Sequence, residues 1–296
     1  MGVLDGRVAA ITGAGRGIGR EHALLFAQEG AKVVVNDLGG APDGSGSDVS
    51  AAQSVVDEIE AAGGEAVANT SDVSDFDGAK ALIDQAVEEY GQLDVLVNNA
   101  GILRDAFITG MSEAEFDDVI KVHLKGHFSC LKHAADHWRA RSKAGEEVSA
   151  AVINTASASG TYLPNAGQVN YGSAKAAIAA MSLVASQELE RYGVRVNAIA
   201  PAARTRLTED VPMIGELMKP PEDPDAFDPF DPVHVSPLVA YLASADCTIS
   251  GKLFAVQGGA IMECENWRVG DNQVTTDGAW TVDLVAEKLG GAKVAS

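Results

Sequence analysis

Residues 11–19 read "ITGAGRGIG", which places four glycines at alternate positions directly after a short apolar run. The common dinucleotide-binding pattern G-x-G-x-x-G does not fit, because Ile18 and Arg20 stand where the last glycine would be in the two possible frames. The spacing that fits is Gly13-x-x-x-Gly17-x-Gly19. Glycines between a strand and a helix let backbone N–H groups and the helix dipole approach a pyrophosphate that a Cβ atom would keep away. The stretch therefore predicts the phosphate-binding turn of a dinucleotide-binding fold.

The rest of the chain alternates short apolar runs with helical patterns. The apolar runs are 7–12, 32–37, 65–72, 93–99, 150–157, 194–200 and 253–257, and the helical segments lie near 18–29, 48–62, 75–90, 112–140, 171–191 and 236–244. This alternation indicates βαβ crossovers and a parallel sheet covered on both faces. We predict an α/β fold, a Rossmann-type doubly wound parallel sheet of about seven strands with helices on both faces. No break in composition divides the series, so residues 1–296 are expected to form a single domain.

Charge and cysteine content limit the partners and the compartment. The chain carries 42 acidic against 22 basic residues, a formal charge of −20, which repels a phosphate backbone and argues against nucleic-acid binding. No apolar run approaches the roughly 20 residues of a membrane span. Cys130, Cys247 and Cys264 lie far apart without C-x-x-C spacing, which suits a reducing compartment. We therefore expect a cytoplasmic protein.

Polar residues stand at the ends of several predicted strands, the edge where ligands bind in such sheets. Asp37 ends the second strand, 20 residues after Gly17, where a carboxylate would bind a ribose 2′-OH and repel a 2′-phosphate. NAD is thus favoured over NADP. Asp72 ends the third strand, and Asn98, Asn99, Ala100 and Gly101 follow the fourth.

Ser157, Tyr171 and Lys175 form the candidate chemical site. Tyr171 and Lys175 are four residues apart at the start of a helical pattern, so both project from one face of its first turn. A neighbouring ammonium, together with the positive charge of an oxidised nicotinamide, is expected to lower the tyrosine pKa and fit it for proton exchange with an alcohol or carbonyl. Ser157, at the end of the preceding strand, is placed to hold the substrate oxygen.

At this point the sequence resembles the short-chain dehydrogenase/reductase family over roughly residues 4–260. The stretches that carry the resemblance are "TGAGRGIG", "NNAG", Ser157 with "YGSAK", and "VNAIAP". The resemblance implies that Tyr171 is the acid/base, that Lys175 lowers its pKa and binds the nicotinamide ribose, and that Ser157 positions the alcohol or carbonyl. It also implies the cofactor contacts. These are Gly13, Arg16, Gly17, Ile18 and Gly19 at the phosphates, Asp37 and Asn99 at the riboses with Ala100 and Gly101 beside them, and Asp72 and Val73 at the adenine.

Several features depart from the general pattern of that family. His123 stands where a helix asparagine often completes the site, and we include it in the catalytic set with the expected role of orienting water or Lys175. Pro201-Ala202 replaces "PG", and Ser157 precedes Tyr171 by fourteen residues where thirteen is usual. These departures resemble one branch, the (R)-3-hydroxyacyl-CoA dehydrogenase unit of the peroxisomal multifunctional β-oxidation enzyme and its stand-alone bacterial relatives. The same match implies that Ala203, Arg204, Thr205 and Arg206 meet the nicotinamide side of the cofactor.

The resemblance also predicts roles for two segments outside the alternating pattern of strands and helices. Seven of the ten prolines lie in residues 211–237, where the family keeps its substrate lid, and we expect a lid at about 207–237 with apolar side chains such as Met213 and Met218 over the substrate. A C-terminal extension follows at about 260–296. The helices near 112–140 and 171–191 are expected to form a homodimer or homotetramer.

Four histidines, His123, His127, His133 and His137, fall within fifteen residues on one predicted helix. Pairs at this spacing can bind zinc, but the H-E-x-x-H glutamate and a third ligand are missing, so no metal is expected and the histidines are assigned to an interface or a solvated face.

The sequence thus predicts an NAD-dependent oxidoreductase, most simply one that converts (R)-3-hydroxyacyl-CoA to 3-oxoacyl-CoA. Two alternatives stay open. The substrate is a 17β-hydroxysteroid or a sterol side-chain acyl-CoA, or the protein is a non-catalytic NAD-binding regulator.

Overall fold

The structure is a computed structural model of the 296-residue chain. It describes residues 2–46, 48–209, 214–223, 226–265, 267, 269 and 274–290. The chain divides into two compact units, Met1–Cys264 and Glu265–Ser296, and each is described by itself. The expected lid is described except for residues 210–213 and 224–225, so Met213 lies outside the described residues. Parts of the expected C-terminal extension, residues 266, 268, 270–273 and 291–296, also lie outside them.

The first unit is built on one sheet of eight strands. The strands are β1 (Val8–Thr12), β2 (Lys32–Asn36), β3 (Glu65–Asn69), β4 (Val95–Asn98), β5 (Ala150–Thr155), β6 (Val194–Pro201), β7 (Leu253–Gln257) and β8 (Ala260–Cys264). Their order across the sheet is β3-β2-β1-β4-β5-β6-β7-β8, and β1 to β7 all pair in parallel. The order reverses between β1 and β4, which opens a crevice at the carboxyl ends of these strands. The predicted doubly wound parallel sheet is confirmed.

The eighth strand is a feature that the sequence pattern did not predict. β8 pairs antiparallel with β7 through a two-residue turn, with Gln257 opposite Ala260 and Gly258 in the left-handed region at φ +49°. Residues 260–264, expected as the start of the C-terminal extension, therefore belong to the sheet. A two-residue hairpin requires such a backbone conformation, which glycine adopts readily.

Helices cover both faces of the sheet. The longer ones are α1 (Gly17–Gln28), α2 (Ser50–Ala61), α3 (Phe76–Tyr90), α4 (Glu113–Ile120), α5 (Gly126–Lys143), α7 (Val169–Leu189) and α10 (Ser236–Ala243), and the short ones are α6 (Ala158–Thr161), α8 (Arg206–Glu209) and α9 (Ile214–Leu217). In the second unit, Val282–Gly290 form α11. The segment predicted as one helix near 112–140 is α4 and α5 joined by a π-helical turn at Lys121–Lys125.

The core consists of two apolar layers, one on each face of the sheet. Alternate residues of a strand point to opposite faces, so Ile11 packs with Phe26 of α1 on one face while Ala10 packs with Trp138 of α5 on the other. Strands β1, β4 and β5 are buried along their whole length. Burial on both faces explains their nearly continuous apolar sequences.

Within the described part of the chain, no helix is both long and apolar enough to cross a membrane.

Candidate active site

The glycine-rich turn between β1 and α1 adopts a conformation that needs its glycines. Gly13 and Gly17 lie in the left-handed region, at φ +63° and +55°. A Cβ atom on Gly19 would stand 2.1 Å from the Gly13 carbonyl oxygen and 2.6 Å from Asn99 Nδ2. The first turn of α1 is thus packed under Gly13, and Gly13 and Gly17 line the crevice. This is an arrangement that fits a pyrophosphate at the helix N-terminus.

Asn99 and Thr12 join this turn to the end of β4. Asn99 Nδ2 donates to the carbonyl oxygens of Thr12 at 3.1 Å and Gly13 at 3.0 Å. Thr12 Oγ1 in turn accepts from the backbone N–H groups of Asn99 at 2.9 Å and Ala100 at 3.0 Å. Thr12 was not among the site residues predicted from the sequence. Its position as the last residue of a buried strand, directly before the glycines, is the signal that marks it.

Asp37 lies just past β2 with its carboxylate fixed against the same turn. Oδ2 accepts from Gly15 N–H at 2.7 Å and Oδ1 accepts from Gly39 N–H at 2.6 Å. Each carboxylate oxygen keeps a further lone pair for a ribose hydroxyl. At the end of β3, Asp72 Oδ1 accepts from the N–H and hydroxyl of Ser74, at 2.9 and 2.6 Å, which shapes the turn that carries Val73.

These elements surround a cleft of about 400 Å³. Most of the predicted site residues line it, namely Gly13, Arg16, Gly17, Ile18, Asp37, Asp72, Val73, Asn99, Ala100, Gly101, His123, Tyr171, Lys175, Ala203, Thr205 and Arg206. Among the described residues, the lining does not include Gly19, Ser157 or Arg204. Gly19 lies beneath the turn, because it packs against the Gly13 carbonyl group and the Asn99 side chain.

Tyr171 and Lys175 project from the first turns of α7 at the end of the cleft next to β5. Lys175 is buried, its Nζ donates to the carbonyl oxygen of Thr155 at 2.5 Å, and it lies 5.5 Å from the centre of the Tyr171 ring. The predicted juxtaposition of the two side chains is therefore present.

The start of α7 is anchored by Asn170, which the sequence analysis did not single out. Its fully buried Nδ2 donates to the carbonyl oxygens of Arg104 at 2.8 Å and Glu115 at 3.1 Å, and its Oδ1 accepts from Tyr171 N–H at 2.7 Å. Gln168 Nε2 adds a bond to Asp105 Oδ2 at 2.7 Å. The backbone that carries Tyr171 is thus tied to the loop after β4 and to α4.

The pKa values of the pair differ from the sequence-based expectation. Burial lowers the pKa of Lys175 from 10.5 to about 7, and burial raises the pKa of Tyr171 above its usual value of 10. A hydrogen-bonding contact from the Ser157 side chain lowers the Tyr171 pKa and the charge of Asp105 raises it, but burial has the largest effect. Because its pKa is depressed, Lys175 carries less positive charge near neutral pH than an exposed lysine would. In the protein alone, the charge of Lys175 therefore does not overcome the effect of burial on the pKa of Tyr171.

Ser157 caps the short helix α6 directly after β5. Its Oγ accepts from Ser159 N–H at 3.2 Å, and its carbonyl oxygen accepts from the Thr161 hydroxyl at 2.8 Å. Its backbone is extended, with φ −160°. The turn into α6 holds the Ser157 side chain in hydrogen-bonding contact with Tyr171.

His123 occupies the π-helical turn and lies against the chemical site. Its ring stands edge-on to the Tyr171 ring with centroids 5.2 Å apart, and its Nε2 contacts the carbonyl oxygen of Ile102 at 2.8 Å. Burial, followed by the charge of Lys175, lowers the pKa of His123 to about 3, so the imidazole is neutral. Its Nδ1 is buried and has no partner among the described residues. The π-helix was not predicted, and such turns are frequent at functional sites.

The assignment of all four helix histidines to an interface or solvated face is wrong for two of them. His123 and His127 are both buried inside the unit, and burial, followed by the charge of Lys175, lowers the pKa of both rings. His133 contacts the carbonyl oxygen of Phe76 at 3.1 Å and lies against its ring.

Arg204, expected beside the nicotinamide, instead joins two parts of the segment expected to form the lid. Its Nη1 donates to the Met218 carbonyl oxygen at 2.8 Å and its Nη2 pairs with Asp228 at 2.5 Å. Its backbone N–H donates to the Phe230 carbonyl oxygen at 2.7 Å. The guanidinium is thus engaged at the base of the lid.

The sequence pattern of the family described as "short chain dehydrogenase" matches residues 7–212. The chain belongs to the short-chain dehydrogenase family. It is therefore an oxidoreductase that acts on hydroxyl groups of small molecules, and members of this family bind NAD or NADP. A crystal structure of a short chain dehydrogenase from Mycobacterium avium is 52% identical, covers 99% of this chain and 97% of that one, and has a TM-score of 0.85.

Two curated short-chain dehydrogenase relatives carry more specific names. Hydroxyacyl-CoA dehydrogenase ChsB1 of Mycobacterium tuberculosis is 45% identical, over 86% of this chain and 78% of its own length. Peroxisomal multifunctional enzyme A of Dictyostelium discoideum is 41% identical over 96% of this chain. This chain spans only 58% of the length of that multifunctional enzyme. The predicted family resemblance and branch are confirmed.

The cleft of this short-chain dehydrogenase fits a nicotinamide dinucleotide. Gly13 and Gly17 both line the cleft. A Cβ atom on Gly17 would stand 3.3 Å from Thr205 Cγ2, and one on Gly13 would stand 2.8 Å from the Ala100 Cα atom, so glycine is required at this close approach. Asp37, which follows β2, and Tyr171 and Lys175, beside β5, line the same cleft. These residues would hold the two ends of the dinucleotide, and the bound cofactor would exchange a hydride with the substrate.

Proposed function

We propose that this short-chain dehydrogenase oxidises (R)-3-hydroxyacyl-CoA thioesters to 3-oxoacyl-CoA with NAD. The observation that carries the proposal is that Tyr171 and Lys175 line the same cleft as the glycine-rich turn, with the Ser157 side chain in hydrogen-bonding contact with Tyr171. The substrate class is supported by the relative named hydroxyacyl-CoA dehydrogenase and by the multifunctional enzyme of similar sequence.

In this proposal Ser157 and Tyr171 hold the substrate oxygen, and Tyr171 takes the hydroxyl proton. A phenolate is the base, so the positive charge of an oxidised nicotinamide must offset the burial that raises the pKa of Tyr171 in the protein alone. Lys175 supplies a proton acceptor behind the tyrosine, because burial brings its pKa to about 7, near neutral pH. His123, neutral and edge-on to Tyr171, fixes the ring position.

NAD is the proposed cofactor because Asp37 presents a carboxylate at the ribose end of the cleft. Its two backbone hydrogen bonds fix the carboxylate toward the turn, where it would accept from a 2′-OH and repel a 2′-phosphate. The remaining predicted contacts, at Asp72, Val73 and Asn99 and at Ala203, Thr205 and Arg206, belong to the same proposal because they line the same cleft.

We also propose a homo-oligomer in the cytoplasm. Phe128 of α5 and Val184 of α7 expose 48% and 56% of their surface on the two helices expected at the interface. The three cysteines are free thiols, as in a reducing compartment. Light scattering on the purified protein tests the oligomer, and a monomeric mass would contradict it.

The substrate proposal is tested by offering NAD with (R)-3-hydroxyacyl-CoA, (S)-3-hydroxyacyl-CoA or a 17β-hydroxysteroid and measuring NADH. We expect turnover of the (R)-thioester. Turnover of the steroid alone would replace the substrate and keep the chemistry. The Tyr171→Phe variant separates an enzyme from a non-catalytic NAD-binding protein, since it should bind NAD and lose activity by roughly 10²–10⁴-fold.

A further inference from the structure

Arg16 is a cation within the glycine-rich turn, and it lines the cleft on the side where Asp37 stands. It lies between Gly15, whose N–H binds Asp37, and Gly17 at the start of α1. An arginine at this position is chemically suited to a phosphate, because its planar guanidinium can donate two parallel hydrogen bonds to phosphate oxygens. The ribose end of the cleft therefore contains both a carboxylate and a guanidinium, which favour opposite cofactors.

Asp48 engages this guanidinium. Its Oδ2 lies 2.9 Å from Arg16 Nη2, while its Oδ1 accepts from the N–H of Ser50 at 3.1 Å and from the Ser50 hydroxyl. These contacts, first those with Ser50 and then that with Arg16, hold the pKa of the Asp48 carboxyl below its usual value. Asp48 is therefore an ionised partner for Arg16 at neutral pH.

The backbone fixes Asp48 beside Asp37. Asp48 N–H donates to the Leu38 carbonyl oxygen at 3.3 Å, which closes the base of the loop that follows β2. A Cβ atom on Gly39 would stand 2.1 Å from the Asp48 carbonyl oxygen, so the two segments are in close contact. Asp37 itself binds Gly39 N–H at 2.6 Å. The backbone of Asp48 is thus held next to the residues that follow Asp37, and its carboxylate reaches the cleft through Arg16, which lines it.

We propose that Asp48 is a specificity-determining residue for the cofactor, because it occupies the Arg16 guanidinium that would otherwise bind a ribose 2′-phosphate. This inference rests on the proposed NAD dependence. Asp37 disfavours the 2′-phosphate by repulsion, and Asp48 removes the positive charge that would compensate for that repulsion. The two carboxylates act through different interactions with the 2′-phosphate, one by repelling it and the other by neutralising Arg16. Their effects on cofactor selectivity therefore combine.

The solvent exposure of the Arg16–Asp48 ion pair limits how much Asp48 can change the affinity for a 2′-phosphate. Arg16 and Asp48 expose 36% and 47% of their side chains, so the ion pair is screened by water and salt. We expect its loss to change affinity for a 2′-phosphate about three- to tenfold, and we expect the change to shrink at high salt. Loss of Asp37, which faces the ribose directly, should have the larger effect.

The test measures binding of 2′,5′-ADP and of AMP, which differ by the 2′-phosphate, to the full protein by calorimetry. Asp48→Asn should tighten 2′,5′-ADP about three- to tenfold and leave AMP within about twofold. The matched control is Glu58→Gln in α2, which removes a carboxylate of similar exposure that pairs with Arg20 of α1. It should leave both affinities within about twofold. Adding Arg16→Met to Asp48→Asn should abolish the gain.

The outcomes separate the two proposals. If the unsubstituted protein prefers 2′,5′-ADP to AMP, the proposed NAD dependence and the role of Asp48 are both overturned. If it prefers AMP and Asp48→Asn behaves like Glu58→Gln, the role of Asp48 alone is overturned. A gain that survives Arg16→Met also overturns it, because the effect would then be general charge removal. Circular dichroism of each variant checks that the fold is retained.

Discussion

Lys175 Nζ lies 5.5 Å from the centre of the Tyr171 ring and donates to the carbonyl oxygen of Thr155 at 2.5 Å. The ammonium is buried between α7 and β5 and has this carbonyl as its hydrogen-bond acceptor. Burial is what lowers its pKa to about 7. The chemical site therefore contains a lysine that folding makes unstable in its charged form.

Lys175→Met should make the protein more stable and less active. The unfolded lysine holds its proton up to about pH 10.5 and the folded one only to about pH 7, so between these values the unfolded state binds more protons and stability rises with pH. Replacement should remove this slope and raise the free energy of unfolding at pH 7 by at least about 1 kcal/mol, since one pKa unit corresponds to about 1.4 kcal/mol. Urea unfolding at pH 7 and pH 9 measures the free energy of unfolding and its change with pH. A variant that is less stable at both pH values would contradict this account.

Ser157→Ala should move the pH dependence of alcohol oxidation to higher pH. Burial raises the pKa of Tyr171 and the contact with Ser157 lowers it, so loss of that contact should leave the pKa higher. We also expect kcat to fall roughly 10²–10³-fold, the usual cost of removing one hydrogen-bond donor to a reacting oxygen. The measurement is kcat/KM from pH 6 to pH 10. Ser157→Thr keeps the hydroxyl and should hold the profile in place, whereas a shift in both variants would argue for a steric cause.

Gly101 and His123 should behave as a coupled pair. A Cβ atom on Gly101 would lie 2.3 Å from His123 Cε1, and this buried ring cannot move freely. Gly101→Ala should destabilise the protein by about 1–3 kcal/mol, the usual cost of overpacking a core. Adding His123→Ala should recover part of the loss, which a double-mutant cycle of unfolding free energies measures. Gly110→Ala, where the nearest atom is 3.8 Å away, is the matched control, and strictly additive effects at Gly101 and His123 would refute the contact.

Arg204 should control the lid rather than the cofactor. Arg204→Met removes the bonds to Asp228 and to the Met218 carbonyl, which leaves the two sides of the lid less firmly held. The KM for the acyl thioester should rise about tenfold, as expected when roughly 1.4 kcal/mol of binding is lost. The Kd for NAD should change by less than about twofold. A larger loss of NAD affinity than of substrate affinity would place Arg204 at the cofactor instead.

Much of the fold and site is readable from local sequence pattern. The alternation of apolar runs with helical segments locates the seven strands β1 to β7 along the chain, because burial on both faces of the sheet demands nearly continuous apolar strands. Tyr171 and Lys175 could be paired from spacing alone because helix geometry places residues four apart on one face. Asp37 and Asn99 could be placed because parallel strands end at one edge of the sheet.

Other features depend on contacts between distant segments and leave little local signal. The π-helical turn around His123 continues the helical pattern on either side, so its burial against Tyr171 is set by packing. Arg204 looks like a surface cation until the lid brings Asp228 within 2.5 Å. The raised pKa of Tyr171 reflects burial, which the residue types alone do not give.

The most direct test of the central claim follows the hydride itself. The purified protein is given NAD and (R)-3-hydroxyacyl-CoA that carries deuterium at C3, and the reduced cofactor is analysed by mass spectrometry and NMR. We predict one deuterium at C4 of the nicotinamide for each 3-oxoacyl-CoA formed, with slower turnover than for the unlabelled thioester when hydride transfer limits the rate. Formation of 3-oxoacyl-CoA with deuterium in the solvent, or no turnover of this thioester at all, would contradict the proposed reaction.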